Sequence, residues 1–426
     1  MKVLLIRPKT SSTMGILSLV NVEPLELEYL TAICLEENVK CEIYDGCIEG
    51  NFKRKFRQIT FDVVVLSGYI NSVDVMKEYA RYIKLKNKNT KIIIGGVVAE
   101  VVPELLYSKD VDIIIHSGGF EPFRELLKIN FDFNLAKSII GICYRDVDVW
   151  IKNSFQVFNI KKLPIPNRRH FYKNAKKFIY LKYHPTAIMK TSYGCPYKCN
   201  FCYCKNLNGS AFISMDLDQI IAEIKSIHTH TIWIVDDIFL LDRERFLAFG
   251  ERIEKENIKK NFIVYSRADF IVNNKELLPF IKKTGIEMVI VGLEAVDDNS
   301  LNSYNKLTNE SINKKCVEFL HENHIECMGL FIAGIDYTKE DFRNLRLWIK
   351  DAALRIFTIS VLTPLPGTEL YEKYKDKLTS KDFRKYDFLH LHIDPLHMGR
   401  KTFYYELCKV YIPYLLPILK KFVKWR

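Results

Sequence analysis

The chain lacks the marks of several large protein classes. No apolar run reaches the roughly 18 to 20 residues that a membrane-spanning helix needs, so a soluble protein is expected. The opening "MKVLLIRPKT" has a short apolar stretch broken at Arg7 and Pro8. That stretch is too short for the apolar region of a secretory signal, and it reads as a first β-strand. Without an export signal the expected location is cytoplasmic and reducing. Long blocks of one charge are missing too: the formal charge of +12 is spread along the chain, so charge alone selects no partner. No stretch has the G-x-G-x-x-G pattern of dinucleotide sites, which argues against a nicotinamide cofactor.

Cysteine is not scarce. There are 11 in 426 residues, and in a reducing compartment clustered cysteines bind metal or carry redox chemistry more often than they form disulfides. Cys34, Cys41, Cys47, Cys143, Cys316, Cys327 and Cys408 stand singly in apolar, periodic surroundings and read as small buried hydrophobes. The others, Cys195, Cys199, Cys202 and Cys204, crowd into "TSYGCPYKCNFCYCKNLNG", residues 191–209.

Residues 1–135 alternate continuously apolar runs such as "VVVL" and "IIIG" with helical stretches. This predicts a doubly wound parallel α/β sheet of about five strands, covered on both faces. Ligands bind beyond the carboxyl ends of such strands. Here those ends are Ser67-Gly68-Tyr69, Gly95-Gly96 and Ser117-Gly118-Gly119, whose glycines let a backbone approach a ligand closely. Residues 136–185 change character, with "IIGICYRDVDVWIKN" reading as a hairpin and "KKLPIPNRRHFYKNAKK" as a basic connector. From 186 to 375 six strands alternate with helices, the pattern of a partial barrel with its chemistry at the carboxyl ends of the strands. Residues 376–426 are aromatic, basic and proline-broken. They suit a helix capping the barrel, with an interfacial helix as the alternative.

The cysteine loop follows the first barrel strand. Cys195, Cys199 and Cys202 offer three thiolates within eight residues, each reaching a different corner of a small inorganic object, as a cubane iron–sulfur cluster requires. Structural zinc normally draws paired ligands from separate loops, and the sequence shows no second pair. In an extended segment Cys204 shares a side with Cys202, and bending both onto one metal needs a kink, so Cys204 reads as a wall residue. A zinc site, or a cluster with Cys204 as fourth ligand, remains the alternative.

The string Gly194-Cys195-Pro-Tyr-Lys-Cys199-Asn-Phe201-Cys202 resembles the C-x-x-x-C-x-aromatic-C signature of the radical S-adenosylmethionine (SAM) superfamily. The resemblance implies a [4Fe–4S] cluster whose open iron is chelated by SAM, and cleavage of SAM to a 5′-deoxyadenosyl radical. It places Phe201 beside the cofactors and makes Asp236 and Asp237 of "IVDDIFL" the acidic SAM-contacting position, unless they cap the helix of "DRERF". Arg267 of "YSRADF" would pair with the SAM carboxylate, and Glu294 of "VGLEAVDD" would sit at the mouth of the fourth strand, ahead of Gly329 and Gly334 around the fifth. "TPLPGTELYEKY" reads as a turn before a helix.

Nearly the whole chain is similar to the superfamily's subgroup with an amino-terminal cobalamin-binding domain, many of them methyltransferases. "EPLELEYLTAICLEENVKCEIYDG", "IIIGGVVAEVVPELL" and "VDIIIHSGGFEPFRELL" look like its flavodoxin-like domain. The Asp-x-His-x-x-Gly motif is absent, since Gly46 and Cys47 follow Asp45, as it is from many members of the subgroup. The usual Gly-Glu-Gly-Glu stretch is Ser117-Gly118-Gly119-Phe120-Glu121, and Val98 or Ala99 stands for the usual histidine. His116 could approach the cobalt face, though a lone histidine is more often satisfied locally.

The resemblance implies a flavodoxin-like sheet followed by a partial (β/α)6 barrel and a small carboxyl-terminal helical region. It implies cobalamin as a third cofactor and methyl transfer to an unactivated carbon, with cyclisation, rearrangement or oxidation as the nearest rival. A zinc-bearing basic nucleic-acid-binding protein is the rival from another class. The partners implied are a small-molecule or peptide substrate and a reductant such as flavodoxin or ferredoxin, with no nucleic acid and with peripheral membrane contact at the carboxyl end. No general base or nucleophile is identifiable, and no catalytic residue is assigned.

Overall fold

The computed structural model describes residues 1–9 and 20–423, with side chains described as far as Tyr414. The β-branched runs near the amino end become strands because both of their faces are covered. They are β1 (Lys2–Arg7), β2 (Lys40–Asp45), β3 (Val63–Ser67), β4 (Lys91–Gly95) and β5 (Ile113–Ile115). Leu4, Ile6, Val64, Leu66, Ile92, Ile94 and Ile114 face one core. Their chain neighbours Val3, Leu5, Val63, Val65, Ile93 and Ile113 face another. The period of two therefore feeds two cores from the same strands. The strands pair in parallel in the order β2-β1-β3-β4-β5. This is the flavodoxin-like order, with its switch point between β1 and β3. The hairpin read at 139–153 forms as β6 (Ile142–Asp146) and β7 (Val149–Lys152) and extends the sheet antiparallel to β5, giving seven strands.

Helices α1 (Leu25–Glu36), α2 (Val73–Lys86), α3 (Val97–Val101) and α4 (Glu121–Lys128) cover this sheet. In α2 the buried residues Val73, Met76, Ala80 and Ile83 recur at helical spacing. Each such side chain contributes roughly 1.5–3 kcal/mol through burial.

The second sheet has six strands in chain order: β8 (Thr186–Met189), β9 (Thr231–Ile234), β10 (Asn261–Ser266), β11 (Ile286–Glu294), β12 (Glu326–Ala333) and β13 (Ile356–Val361). It is the partial barrel read from the sequence. Its helices include α5 (Leu217–Ser226), α6 (Arg243–Lys255), α7 (Asp298–Ser303), α8 (Glu310–Glu322) and α9 (Lys339–Asp351). Their starts are written in the sequence: Asp216 and Gln219 form a capping box on α5, and Asp242 accepts from Arg245 N on α6 at 2.7 Å. The cap of "DRERF" is thus Asp242, and Asp236 and Asp237 are left for another task.

By internal packing the chain forms two compact units. One comprises Met1–Tyr197, Tyr203–Asp237 and Asp382–Asp387; the other comprises Lys198–Cys202, Ile238–Lys381 and Phe388–Arg426. In the second unit α10 (Arg400–Val423) buries Phe403, Leu407 and Val410, and Ile359 N of β13 donates to the Tyr411 hydroxyl at 2.7 Å. Of the segment expected to touch a membrane, the side chains beyond Tyr414 lie outside the described residues. Among the described residues no helix is long and apolar enough to cross a membrane.

The reading of all seven scattered cysteines as buried needs correction. Cys34, Cys143, Cys316 and Cys327 are buried and Cys41 is half-buried, but Cys47 and Cys408 are exposed. Cys47 lies in the turn after β2, and Cys408 points away from the face of α10 that buries Phe403, Leu407 and Val410.

Candidate functional site

At the carboxyl ends of the first sheet the expected loops come together. Ser67 lies in register with Gly95. Gly96 has φ +94, and a Cβ there would stand 2.8 Å from Gly68 N and O, so two backbones touch where no side chain fits. Gly95, by contrast, has nothing within 4 Å of its would-be Cβ and opens onto unfilled space. Gly118 and Gly119 have φ +79 and +60, and a Cβ at Gly119 would meet the Phe158 ring at 2.3 Å. Tyr69 is 57% exposed beside this floor. His116 does not face it: His116 is buried, with Nε2 3.2 Å from the Asn153 carbonyl oxygen. Burial and then the Lys152 charge lower its pKa, so it is a neutral residue satisfied locally.

In the same unit β8 and β9 place Lys190, Asp236 and Asp237 at their carboxyl ends. Asp236 is buried and accepts from Thr191 N and Oγ1, both at 2.5 Å, and from Ser192 N at 3.0 Å and Oγ at 2.7 Å. A carboxylate has about four acceptor positions, and the chain fills them. Asp236 therefore fixes the approach to the cysteine loop. Asp237 accepts from Gly194 N at 3.0 Å and pairs with Lys190 Nζ at 3.3 Å. Gly194 itself has φ +84 and would place a Cβ 2.5 Å from the Ala211 carbonyl oxygen. The residue before Cys195 is thus fixed both by backbone conformation and by a carboxylate.

Burial alone would lower the Lys190 pKa, but Asp237, Tyr193 and Asp236 more than offset this and hold it up. Its ammonium lies 4.7 Å from the centre of the Tyr193 ring. The charges of Glu26, Lys190 and Asp237 all act on the exposed Tyr69 phenol, so the first-sheet loop and the base of the cysteine loop share one electrostatic environment. Asn208 N, past the cysteine loop, donates to Glu100 of α3. Cys204 opens a short helical turn over Cys204–Ser210 kinked at Leu207–Gly209, in place of the extended segment expected.

In the second unit, residues 198–202 are held against α7 and its sequel. Asn200 N donates to Tyr304 O at 3.2 Å, Asn200 Nδ2 to Ser303 O at 2.6 Å, and Asn305 Nδ2 to Lys198 O at 2.8 Å. The Phe201 ring packs edge-on against Tyr304, 5.6 Å between centres. Cys199 is buried, and burial, with Cys202 and Glu294, holds its thiol pKa above the ordinary value against the opposing pull of Lys306 and Arg267. Glu294 has φ +63, unusual for a non-glycine residue. It closes β11 at a register shift after Gly292 and pairs with Lys306 Nζ at 2.8 Å. Burial lowers the Lys306 pKa, yet Glu294 and the Cys199 thiol hold it above the ordinary value. Arg267 is buried, donates to both oxygens of Asp269 at 3.0 Å and reaches the Lys306 carbonyl at 2.6 Å. These bonds tie Arg267 to the segment that carries Lys306.

Lys190 and Lys306 were missed from the sequence. Lys190 did leave a signal, a charge directly after the apolar run Thr186–Met189, at a strand mouth. Lys306 sits in the polar stretch "NSYNKLTNES" and left none.

Thiols on a loop at the first strand mouth of a partial barrel, joined to a flavodoxin-like sheet with bare glycine strand ends, define the class of cobalamin-binding radical SAM proteins. Residues 189–349 match the family model of the radical SAM superfamily, and residues 13–127 match that of the B12 binding domain. The chain thus carries a radical SAM domain and a B12-binding domain and is an enzyme that uses a [4Fe–4S] cluster, SAM and cobalamin.

It is 26% identical over 418 residues to the hopanoid C-3 methylase of Methylococcus capsulatus, covering 96% of this chain and 79% of the relative. It is 25% identical over 406 residues to the anaerobic magnesium-protoporphyrin IX monomethyl ester cyclase of Cereibacter sphaeroides, covering 87% and 66%. Its fold is similar to that of the cobalamin-dependent SAM radical enzyme OxsB with aqua-cobalamin and SAM bound: TM-score 0.76, 16% identity, 97% of this chain and 66% of that one.

The residues present suit these groups. The donor set at Cys195, Cys199 and Cys202 is all thiolate, the preference of soft iron. None of these cysteines is in a disulfide. Gly95 opens a side-chain-free cradle at the sheet's strand ends.

Proposed function

We propose that the protein is a cobalamin-dependent radical SAM methyltransferase that methylates an unactivated carbon of a small molecule or peptide. The observation that carries this reading is the three-cysteine loop, whose entry at Thr191–Gly194 is anchored by Asp236 and Asp237 in the same compact unit as the glycine-bearing strand ends of the first sheet. The methylase relative supports methyl transfer.

When bound, the three cofactors supply one-electron cleavage of a sulfonium and a transferable methyl group. The chain's own residues do the rest. Cys195, Cys199 and Cys202 would hold the cluster through their three thiolates. Phe201, backed by Tyr304, and the neighbouring Glu294–Lys306 pair shape the SAM side. Asp237 holds the Gly194 turn with Lys190. The loops Ser67-Gly68-Tyr69, Gly95-Gly96 and Ser117-Gly118-Gly119 hold cobalamin by backbone approach. Such positioning, with water excluded, is what radical chemistry asks of a protein.

The cyclase relative favours a second reading, ring formation without methyl transfer. The reductant is a flavodoxin or ferredoxin, and the compartment is the reducing cytoplasm. The run "YLLPILKKFVKWR", apolar and then basic, suits peripheral contact with an anionic membrane surface.

The test is anaerobic reconstitution with iron, sulfide, SAM, a reductant and methylcobalamin, followed by mass spectrometry. Deoxyadenosine together with a product heavier by one methylene unit supports methylation. Deoxyadenosine with no such product supports the second reading, and no deoxyadenosine under any condition overturns both.

A further inference from the structure

Strand β8 lies at the edge of the second sheet and, among the described residues, pairs only with β9. Its outer backbone groups would normally be left for water or a foreign strand. Two side chains take that place. Ile188 N donates to Glu23 Oε1 at 2.5 Å, and Arg168 Nη2 donates to Ile188 O at 2.9 Å. The N–H and C=O of one strand residue point the same way, so Glu23 and Arg168 together occupy the position of an additional strand. Glu23 precedes α1, while Arg168 lies in the basic connector.

Behind this pair lies a buried polar cluster. Arg168 Nη2 also donates to Glu223 Oε1 of α5 at 2.7 Å, and the Tyr29 hydroxyl donates to Glu223 Oε2 at 3.1 Å. Phe171 N donates to Glu28 Oε1 at 3.1 Å. Glu23, Glu28, Arg168 and Glu223 are all at most 5% exposed. One guanidinium cannot balance three carboxylates in a dry interior.

The atoms left over show how the charge is settled. Glu23 Oε2 and Glu28 Oε2 are buried and accept from no N–H or O–H of the described residues. The two carboxyl groups act on each other's ionisation. Two neighbouring bare carboxylates repel each other in a dry interior, so one of them holds a proton. We propose that Glu28 is a neutral acid that donates to Glu23, and that the resulting Glu28–Glu23–Arg168 clamp is a positioning device for β8 and the cysteine loop that follows it.

Burial and then the Glu23 charge hold the Glu28 pKa well above the ordinary carboxyl range. Facing the pair are Arg168, Glu223, Tyr29 and Tyr172, with Asp236 beyond Glu223. The folded pKa of Glu28 exceeds its unfolded value, so the clamp's stability is fully present at low pH and is lost as pH rises through the folded pKa. An opened clamp releases the Ile188 backbone, and the strand that leads into the cysteines loosens. The link to catalysis rests on the function proposed above.

The whole chain is used for the test. Glu28→Gln, which keeps a neutral donor, is expected to melt near the parent at about pH 4.5, close to the unfolded glutamate pKa, and to lose the parent's decline in melting temperature from there toward about pH 9. Intrinsic-rate-corrected hydrogen exchange of residues 186–191 should quicken with pH in the parent and not in Glu28→Gln. In Glu23→Ala it should be about tenfold faster throughout. Deoxyadenosine formation should show its alkaline limb displaced to higher pH in Glu28→Gln, which a merely structural glutamate would not do.

Parallel pH profiles of melting and exchange in the parent and Glu28→Gln overturn the proposal, and they do so even when Glu23→Ala fails to fold. A parent that cleaves no SAM sinks the proposed function instead, while exchange and melting still decide the clamp.

Discussion

Glu294 and Lys306 form a buried ion pair at 2.8 Å that occupies the volume a side chain at Gly292 would need. A Cβ at Gly292 would stand 2.4 Å from Glu294 Oε1 and 2.7 Å from Lys306 Nζ. The pair explains both the glycine and the register shift that follows it in β11. Lys306→Met strands a buried carboxylate and should cost about 3–5 kcal/mol in denaturant unfolding. Gly292→Ala should also destabilise, by forcing the pair apart. Unfolding curves unchanged in both variants would rule this reading out.

The three cysteines of the motif should behave unlike Cys204. Alanine at Cys195, Cys199 or Cys202 should abolish bound iron and the brown visible absorption of the anaerobically reconstituted protein. Cys204→Ala should retain both, because Cys204 begins the kinked turn beyond the motif. Iron per chain is the quantity to measure, and equal iron in all four variants would point to a different ligand set.

Asp236 stabilises the entry to that loop through its four accepted hydrogen bonds. Asp236→Ala leaves buried donors at Thr191 and Ser192 unsatisfied, at about 1–3 kcal/mol for each group. Melting temperature and iron retention should fall together. A fall in SAM affinity alone, with stability intact, would show instead that Asp236 contacts the ligand.

Substitutions at neighbouring glycines should both lower cobalamin binding, for different reasons. Gly96→Ala meets the Gly68 backbone in a left-handed conformation and should lower cobalamin retention on gel filtration, followed by its absorbance. Gly95→Ala enters open space and should leave folding untouched. It should still crowd a cofactor approaching the cradle, so cobalamin affinity should fall while melting temperature does not.

On the acid side, stability should depend on Asp45. Arg7 of β1 donates to both Asp45 oxygens, from Nε at 2.9 Å and from Nη2 at 2.5 Å. Burial alone would raise the Asp45 pKa, but His170 and Arg7 more than offset it and hold it below the ordinary value. A folded carboxyl with a depressed pKa contributes stability above its unfolded pKa and loses it as pH falls through the folded one. Melting temperature should therefore drop below about pH 4, and Asp45→Asn should lower the plateau and flatten that drop.

Much of the architecture was legible because it obeys short periods. Continuous runs such as Val63–Leu66 announce strands covered on both faces, and the spacing of Cys195, Cys199 and Cys202 carries its chemistry on its face. What stayed hidden depends on tertiary neighbours. Nothing near Asp236 announces that Thr191 and Ser192, 45 and 44 residues earlier, will fill its oxygens. Arg267 was placed at the right strand end, yet its fork is taken by Asp269 two residues on, a local pairing that a motif match passes over. The hairpin at 142–152 was legible as a hairpin, but its attachment to β5 depends on an edge that exists only once the sheet has formed.

The flank of β8 also bears on how the protein can be taken apart. A fragment cut at the start of the barrel would be born with a raw hydrogen-bonding margin, since the groups that cover Ile188 reside at positions 23 and 168. Such a piece would recruit strands from its own copies and precipitate. Chimaeras that exchange the barrel for that of a relative must carry residues 20–237 as one cassette.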